Sequence, residues 1–330
     1  MKSIKEAGDL KGKKVLVRVD WNVPIENGKI LNTFRIDTSL PTVNYLKDLG
    51  AEVLLTTHME PEGSPTELLA SFVPQGVRML DNLRNNPGEE SNSVEFAEEL
   101  GGMADIYVNE AFSVSHRKHA SIVGVPKVLP SFAGLRFVEE VNELSKAFEP
   151  KRPFLFIIGG AKFETKIPLI KKFTNIADEI FVGGALAHNF WKEEGVDLGD
   201  SMVSEGDFAL DEVLETGKVI LPIDTVEDEG KILDAGNKTL ESLWTEIQSA
   251  EFILWNGPLG NYELGYKTAT LELAKMLAES GKEVIVGGGD TVAAIEELGV
   301  LDKFSFVSTG GGAMLDFLAN GTLPGIEALQ

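Results

Sequence analysis

The second half of the chain repeats one pattern, an apolar run that ends in glycine and is followed by a helix-like stretch. The pattern occurs in FLFIIGG ending at Gly160, EIFVGG at Gly184, FILWNGP at Pro258, EVIVGGG at Gly289 and FSFVSTGGG at Gly312. Apolar runs of this length, bounded by glycine and then by a 3.6-residue periodicity, are typical of buried parallel strands in βα repeats. With VILPID (219–224) as a sixth strand, the pattern predicts a doubly wound parallel sheet.

The glycines of this pattern fall at the carboxyl ends of the predicted strands. In open α/β sheets that edge is where ligands bind. Glycine lets backbone N–H groups approach an anion closely, and the helix N-termini beside them favour negative charge. The second half is therefore predicted to bind phosphate.

The first half also alternates strand-like and helix-like segments. Its strand-like runs are KKVLVRVDW (13–21), AEVLLTTH (51–58), GVRML (76–80) and DIYVNEA (105–111). The stretch SFAGLRFVEEVNELSKAF (131–148) is predicted to be one long helix, which ends because Pro150 and Pro153 disfavour its continuation. We therefore expect an α/β protein with two doubly wound, Rossmann-like domains, 1–148 and 149–315, joined by this helix and a hinge. TVEDEGKILDAGNKT (225–239) is predicted to be a long surface loop.

Composition excludes several classes of function. There is no cysteine, which excludes disulfides, thiolate metal sites and cysteine nucleophiles. The net charge of −22 makes nucleic acid an improbable partner and repels anions in general, so a phosphate site must be a local patch of cations and backbone N–H groups. No apolar run reaches transmembrane length. We expect a cytoplasmic protein with no membrane partner.

The segment GGAKFETK (159–166) places two lysines beside a glycine turn. Lys162 and Lys166 are four residues apart, so both can lie on one face of a first helical turn. Lysine is usually avoided at that position because it opposes the helix dipole. The pair is either a solvated pair near a turn or a site for a polyphosphate.

Two more glycine turns follow the last two strands. The turn at 287–291 combines backbone donors with Asp290 and Thr291. Those two side chains suit a helix N-cap, but a carboxylate among phosphate-binding groups also suits Mg²⁺ bridging Asp290 to the phosphates. Ser308-Thr-Gly-Gly-Gly312 offers a second cluster of backbone N–H groups.

In the first half, cations stand out against the acidic background. They are Arg18, Arg35, His58, Arg84, His116, Arg117 and His119, and Asp20 and Asn22 directly follow the first strand. Any one of these side chains is more often structural than functional. Several at carboxyl ends of strands in one sheet would converge on a single edge.

These residues lie in an ordered series of motifs that resembles phosphoglycerate kinase over nearly the whole chain. The matching segments are RVDWNVP (18–24), FRIDTSLPT (34–42), DNLRNNPGEE (81–90), VNEAFSVSHRKHAS (108–121), GGAKFETK, GGALAHNF (183–190), LPID (221–224), WNGPLGNYE (255–263), GGGDT (287–291), STGGGA (308–313) and LPGIEAL (323–329).

The resemblance implies a hinged, monomeric enzyme that transfers a phosphoryl group reversibly between 1,3-bisphosphoglycerate and ADP, giving 3-phosphoglycerate and ATP with Mg²⁺. It implies that residues 316–330 return to the first domain. The implied triose-binding residues are Asp20, Asn22, Arg35, His58, Arg84 and Arg117. The implied nucleotide-binding residues are Gly160, Lys162, Lys166, Gly183, Gly184, Asn256, Pro258, Glu263, Gly288, Gly289, Asp290 and Thr291, with Asp290 at the metal. Charge on the moving group would be stabilised by Arg35, Lys166 and the amides of Gly310, Gly311 and Gly312.

The chain departs from the family pattern after the second strand. Family members carry S-H-L-G-R-P there, whereas this chain has Thr57-His-Met-Glu-Pro-Glu-Gly63, so an arginine is absent and acidic residues appear. The early arrival of GVRMLDNLR also predicts that about one βα unit is missing from the first domain. The alternative hypothesis is therefore a nucleotide-binding module of the same fold that has lost triose affinity and catalysis. A dinucleotide dehydrogenase is disfavoured because no G-x-G-x-x-G follows a strand.

Overall fold

The computed structural model describes residues 1–61 and 63–330, which form two compact units. The first unit comprises Met1–Asn142 together with Asn320–Gln330, and the second comprises Glu143–Ala319. In the part of the chain that is described, no helix is both long enough and apolar enough to cross a bilayer.

The first unit is built around a parallel sheet. Its strands are β1 (Lys14–Arg18), β2 (Ile25–Glu26), β3 (Lys29–Ile30), β4 (Glu52–Thr56), β5 (Arg78–Met79), β6 (Ile106–Asn109) and β7 (Ser131–Ala133). Its helices are α1 (Phe34–Asp48), α2 (Val94–Gly101) and α3 (Leu135–Ser145), the last three residues of which belong to the second unit. It also has 3₁₀ turns at Ile4–Glu6, Thr66–Phe72, Leu83–Asn85, Phe112–Val114 and Val125–Lys127 and a π turn at Ala120–Gly124.

Five of these strands form one sheet in the order β5-β4-β1-β6-β7, and every pairing in it is parallel. Strand β1 lies at the centre of this order, and its residues Val15 to Arg18 are all buried. Such a run, apolar on both faces, suits a sheet covered on both sides. β2 and β3 form a separate antiparallel ribbon.

The prediction of one helix over 131–148 is wrong at its start. Ser131–Ala133 is the edge strand β7, paired with β6, and α3 begins at Leu135. The break lies at Gly134, whose N–H donates to Asn109 O at 2.9 Å. The buried carboxylate of Glu110 then accepts the N–H groups of Arg136 and Phe137, at 3.1 and 3.2 Å, in the first turn of α3. This local hydrogen bonding favours a strand followed by a helix over a continuous helix.

The second unit is built around a wider parallel sheet. Its strands are β8 (Phe154–Ile158), β9 (Glu179–Val182), β10 (Val219–Ile220), β11 (Thr225–Asp228), β12 (Lys231–Ala235), β13 (Phe252–Asn256), β14 (Glu283–Gly287) and β15 (Phe306–Val307). Its helices are α4 (Phe163–Phe173), α5 (Leu186–Glu193), α6 (Leu210–Leu214), α7 (Asn237–Ser249), α8 (Thr268–Glu279), α9 (Gly289–Glu297) and α10 (Gly311–Asn320), with 3₁₀ turns at Lys146–Phe148, Tyr262–Leu264 and Leu301–Lys303.

Six strands are ordered β10-β9-β8-β13-β14-β15, all parallel. They coincide with the six apolar runs of the sequence. The chain enters at the middle strand β8, runs outward to β10 and returns to extend the other half of the sheet. This is the doubly wound arrangement, so the predicted α/β class with two parallel sheets is confirmed.

The segment 225–239 is not a loop, contrary to the prediction. Thr225–Asp228 and Lys231–Ala235 pair as an antiparallel ribbon, and α7 begins at Asn237. Its strands are short and mostly exposed, so they lack the apolar run that marks a buried strand. The Asp224 carboxylate accepts the N–H of Thr239 at 2.7 Å in the first turn of α7.

The last helix, α11 (Pro324–Glu327), belongs to the first unit. Gly325 N donates to Ser115 O at 2.8 Å. A Cβ built on Gly325 would lie 2.6 Å from the Ser115 side chain, so glycine is required at this approach. The carboxyl terminus is thereby held against residues that follow β6.

Candidate active site

In the second unit, the turns that follow β8, β9 and β13 meet at the carboxyl edge of the sheet. Gly160 N donates to Pro258 O at 2.8 Å, and Gly159 N donates to Asn256 O at 2.9 Å. Gly184 has a φ of +60°, and a Cβ there would lie 2.7 Å from Gly160 N. The glycines are needed because three backbone segments pack without side chains between them.

Lys166 is buried beside this junction, in the first turns of α4, whereas Lys162 is the exposed residue just before the helix. The Lys166 ammonium donates to Gly159 O. Burial lowers the pKa of Lys166 to about 8, with a further lowering from the charge of Lys162 and an opposing effect from Asp290. A cation held in a partly desolvated place acts strongly on a nearby anion.

Strand β13 is tied to β14 and α9 by side-chain hydrogen bonds. Asn256 Nδ2 donates to Gly287 O at 3.0 Å, and Gly257 N donates to Thr291 Oγ1 at 2.9 Å. Gly288 has a φ of +109° just before α9. Asn256 and Thr291 are both buried and thus fix the turns rather than project from them.

The N-termini of α9 and α10 converge. A Cβ built on Gly311 would lie 3.9 Å from Gly288 Cα and from Gly289 N. Gly310 N donates to Ser308 Oγ at 3.1 Å, so this amide is already paired. The first N–H groups of each helix have no partner within the helix, and Gly289 and Gly311 begin these two helices.

A cavity of about 470 Å³ opens at this edge of the second unit. Five of the residues that the sequence selects line it: Gly160, Gly184, Pro258, Glu263 and Asp290. Lys162, Lys166, Gly183, Asn256, Gly288, Gly289, Thr291, Gly310 and Gly311 are not among its lining residues. The cavity therefore lies beside the phosphate-type turns rather than over them.

One wall of this cavity was not predicted from the sequence. His188 and Trp191 of α5 line it with their rings stacked, centroids 6.0 Å apart, and Met202 lies there as well. Lys231–Ala235, the ribbon strand β12, forms another side. An aromatic and apolar wall of this kind suits a nucleobase. The spacing of His188 and Trp191 after a glycine-ended strand was the available signal.

Two acidic residues that line the cavity, Asp290 and Glu263, interact electrostatically. Burial raises the pKa of Asp290, and the charge of Glu263 raises it further, while Lys166 and Lys162 lower it. Across residues 1–61 and 63–330, no group of three or more histidines and acids is placed to hold a metal by itself. Any cation here would take most of its ligands from a bound molecule.

In the first unit, Asp20 is the centre of a charged cluster at the end of β1. Arg35 Nη1 lies 3.0 Å from Asp20 Oδ2, and Ser113 Oγ donates to the same carboxylate. Burial alone would raise the pKa of Asp20, but the charges of Arg35 and Arg18 and the hydrogen bond from Ser113 hold it well below its ordinary value. Asp20 therefore stays ionised and orients the cations around it.

His58 is buried and neutral at the same cluster. Burial and the charges of Arg18, Arg84 and Arg117 lower the pKa of His58 to about 3, although Asp20 opposes this. Arg18 Nη2 lies 3.2 Å from His58 Nδ1. Because a guanidinium only donates, Nδ1 accepts and the ring proton is on Nε2. The 3.6 Å approach of His58 Nδ1 to Asp20 is thus not an ion pair.

Arg84 is mostly buried and holds two acidic side chains. Its Nη1 lies 2.6 Å from Glu90 Oε1, and its Nη2 lies 3.3 Å from Glu60 Oε1. Asn22 is joined to the same loop, since Glu60 N donates to Asn22 Oδ1 at 3.0 Å. Arg35 Nη1 also donates to Asn22 O at 3.0 Å. The structure thus brings the predicted triose residues into one cluster.

Two more arginines, Arg117 and Arg18, act on His58 in this cluster. Arg117 acts electrostatically on His58, which places it in the same neighbourhood. Arg18 is 1% exposed and donates from Nε to Ser121 Oγ at 3.0 Å. It is a buried support for His58 rather than a surface cation. Glu62, the other acidic residue of the loop at 57–63, lies outside the described residues.

A family model described as phosphoglycerate kinase matches residues 4–73 and 63–321. The two matched parts overlap at residues 63–73, beside the loop where the sequence departs from the family pattern.

Relatives and solved structures carry the same description. The phosphoglycerate kinase of Dictyoglomus turgidum is 38% identical over 382 residues, covering 98% of this chain and 96% of the relative, and that of Gloeobacter violaceus is 40% identical over 395 residues, covering 98% and 97%. The structure of phosphoglycerate kinase from Coxiella burnetii matches with a TM-score of 0.84 at 31% identity, covering 99% of this chain and 98% of that one. The alignments exceed the 330 residues of this chain, so it carries deletions relative to these relatives.

Proposed function

This chain belongs to the phosphoglycerate kinase family, and from that premise we propose that each of its two units binds one substrate. The chain is an enzyme that transfers a phosphoryl group reversibly between 1,3-bisphosphoglycerate and ADP, giving 3-phosphoglycerate and ATP. A nucleotide-binding module without catalysis is not favoured, because relatives of this name match nearly the full length of the chain.

The nucleotide binds the second unit. The observation that carries this proposal is the buried Lys166 at the Gly159–Gly160 turn, beside a cavity lined by Asp290 and by an aromatic wall. The base and ribose occupy the cavity, between the wall and Glu263. The phosphates extend towards Lys162, Lys166 and the N-termini of α9 and α10, where the dipoles favour negative charge. Gly183, Gly184, Asn256, Pro258 and Thr291 shape the turns.

The triose binds the first unit at the Asp20 cluster. Arg35, Arg84 and Arg117 supply positive charge for its anionic groups, and guanidinium suits both phosphate and carboxylate. Neutral His58 offers its Nε2–H as a donor, Asp20 accepts from the substrate hydroxyl, and Asn22 donates from its amide nitrogen to the substrate carboxylate. Support comes from the convergence of these side chains at one strand end.

Catalysis needs charge neutralisation more than proton transfer. The acceptor is a carboxylate, ionised at neutral pH, so no general base is required. Arg35 and Lys166 meet the charge that develops on the moving group, together with the N–H groups at the start of α10. Gly310 contributes through the turn that it closes onto Ser308, and Gly311 contributes its amide.

Mg²⁺ fits the two carboxylates that line the cavity, Asp290 and Glu263. Asp290 and Glu263 repel each other there, which raises the pKa of Asp290 beyond the effect of burial. A divalent cation relieves this repulsion, and Mg²⁺ typically binds one or two carboxylates together with substrate phosphates. Asp290 would hold it. When bound, Mg²⁺ neutralises phosphate charge during transfer.

A coupled assay with ATP and 3-phosphoglycerate tests this function. ADP formation should require both 3-phosphoglycerate and Mg²⁺ and should disappear when either is omitted. ADP formation at the same rate without 3-phosphoglycerate would indicate a nucleotide hydrolase instead. We also assign the enzyme to the cytoplasm as a monomer acting on small molecules, which sedimentation at assay concentrations tests for the oligomeric state.

A further inference from the structure

We propose that Glu60 is a specificity-determining residue of the triose site: its carboxylate occupies Arg84 and competes with the anionic end of the triose. This inference rests on the proposed function, because it assumes that Arg84 contacts the triose. Through Glu60, the loop at 57–63, where the chain departs from the family pattern, changes that site.

Arg84 forms two ion pairs, but one N–H group of its guanidinium has no hydrogen-bond partner among the described residues. Glu60 and Glu90 hold Nη2 and Nη1 at 3.3 and 2.6 Å. The Arg84 side chain is only 15% exposed, whereas those of Glu60 and Glu90 are 51% and 57% exposed. Arg84 Nε is buried and has no hydrogen-bond partner among the described residues. Its guanidinium thus retains donor capacity that an incoming anion would use, but one edge is covered by Glu60.

The Glu60 carboxylate reaches Arg84 because two loops are tied together. Asn82 Oδ1 accepts both Met59 N, at 2.9 Å, and Arg84 N, at 3.0 Å. The backbone of Glu60 is further fixed by its N–H bond to Asn22 Oδ1 at 3.0 Å. Glu60 therefore contacts two of the six proposed triose residues, one through its backbone and one through its side chain.

Two differences from the family pattern in this loop change the charge of the site. Where the family pattern reads S-H-L-G-R-P, Glu60 stands at the glycine and Pro61 at the arginine. The site thus loses a cation and gains an anion. Because the Glu60 side chain is 51% exposed, its carboxylate returns to water when a phosphate or carboxylate takes its place on Arg84, so the displacement costs little. The displaced carboxylate still repels the bound anion.

The test measures KM for 3-phosphoglycerate and for ATP in Glu60→Gln and Glu60→Ala. We expect KM for 3-phosphoglycerate to fall by about 3- to 10-fold in both variants, with the larger fall in Glu60→Ala because an amide oxygen still accepts from Arg84. KM for ATP should not change. Glu98→Gln removes the same charge from an exposed position on α2 and should leave both KM values unchanged.

An unchanged or raised KM for 3-phosphoglycerate in the Glu60 variants overturns the proposal; a raised value would mean that Glu60 positions Arg84 for the substrate. Calorimetric titration with 3-phosphoglycerate separates failure of the inference from failure of the proposed function. If the wild type turns over and binds the triose but the Glu60 variants show no fall in KM, only the inference fails. If neither the wild type nor the variants bind 3-phosphoglycerate, the proposed function and the inference fail together. Triose binding that is gained only on removing Glu60 supports the inference.

Discussion

The ammonium group of Lys166 donates a hydrogen bond to the carbonyl oxygen of Gly159, the residue that directly follows strand β8. This bond holds a buried cation at the point where the turns after three strands meet. We expect Lys166→Ala to lower kcat by roughly 10²–10³-fold while the Kd for ADP changes far less, because a cation that meets charge developing in the transition state acts on kcat.

Steady-state kinetics with calorimetry of ADP binding checks this. Lys275→Ala, which removes an exposed lysine paired with Glu272 on α8, is the matched control and should behave like the wild type. A normal kcat with a raised KM for nucleotide would instead assign Lys166 to ground-state binding.

Lys166 also predicts a pH dependence. Its pKa is lowered to about 8, so the free enzyme carries the cation below that pH and loses it above. The value of kcat/KM for the nucleotide reports the free enzyme and should therefore fall as the pH rises through about 8. Bound phosphate favours the charged lysine, so the corresponding fall in kcat should lie at higher pH. Two profiles that are flat between pH 7 and 9 would contradict this.

Arg35 should be essential for transfer and unnecessary for nucleotide binding. Its guanidinium is held by Asp20 and by the backbone oxygen of Asn22. Arg35→Ala should lower turnover by roughly 10²-fold or more, with Kd for ADP unchanged. Arg78→Ala, an exposed arginine on edge strand β5, is the control. Wild-type turnover by Arg35→Ala would mean that the triose site lies elsewhere.

Magnesium should strengthen nucleotide binding through Asp290. Titration of ADP in excess EDTA should give a Kd several-fold weaker than with Mg²⁺, since the cation relieves the repulsion among Asp290, Glu263 and the phosphates. Asp290→Asn should remove most of that difference, and Asp302→Asn, an exposed aspartate, should retain it. Equal Kd values with and without Mg²⁺ in the wild type would refute the metal assignment.

His58 should make the protein less stable in mild acid. Its pKa is about 3 in the folded chain against an ordinary 6.5, so the unfolded chain binds the extra proton between these values. Stability from this group is therefore complete above pH 6.5 and declines as the pH falls towards 3. His58→Asn keeps an acceptor for Arg18 and should flatten the fall in Tm over this window. A Tm profile that is the same in both proteins would contradict a buried, neutral His58.

The sheets were predictable because their strands are apolar on both faces. Runs such as the one at Phe154–Ile158 end in glycine and lie between helical patterns, and no other element fits them. The ribbon at 225–235 was not predictable in the same way, since its strands are exposed and polar. The start of α3 was missed because Phe132 and Leu135 fit one helical periodicity, which is broken by contacts with β6 and with the distant Glu110 carboxylate.

In the candidate site as well, some residues could be predicted from the sequence and others could not. Lys166 and Asp290 are marked locally by glycine turns, so their neighbourhood follows from the sequence. The role of Glu60 does not, because its contact with Arg84 depends on Asn82, which joins two loops. At the cavity wall, the spacing of His188 and Trp191 was a local signal, but nothing local indicates that β12 lines the same cavity. Side chains placed by contacts between distant segments carry no local signal.

The central claim is that this chain moves the γ-phosphoryl group of ATP onto 3-phosphoglycerate. The most direct measurement is incubation of the purified enzyme with γ-labelled ATP, Mg²⁺ and 3-phosphoglycerate, followed by isolation of the labelled triose, with Arg35→Ala as the matched control. We predict that label enters 3-phosphoglycerate as an acid-labile acyl phosphate, that EDTA abolishes the transfer and that Arg35→Ala shows almost none. ATP binding without any label on the triose would contradict the account.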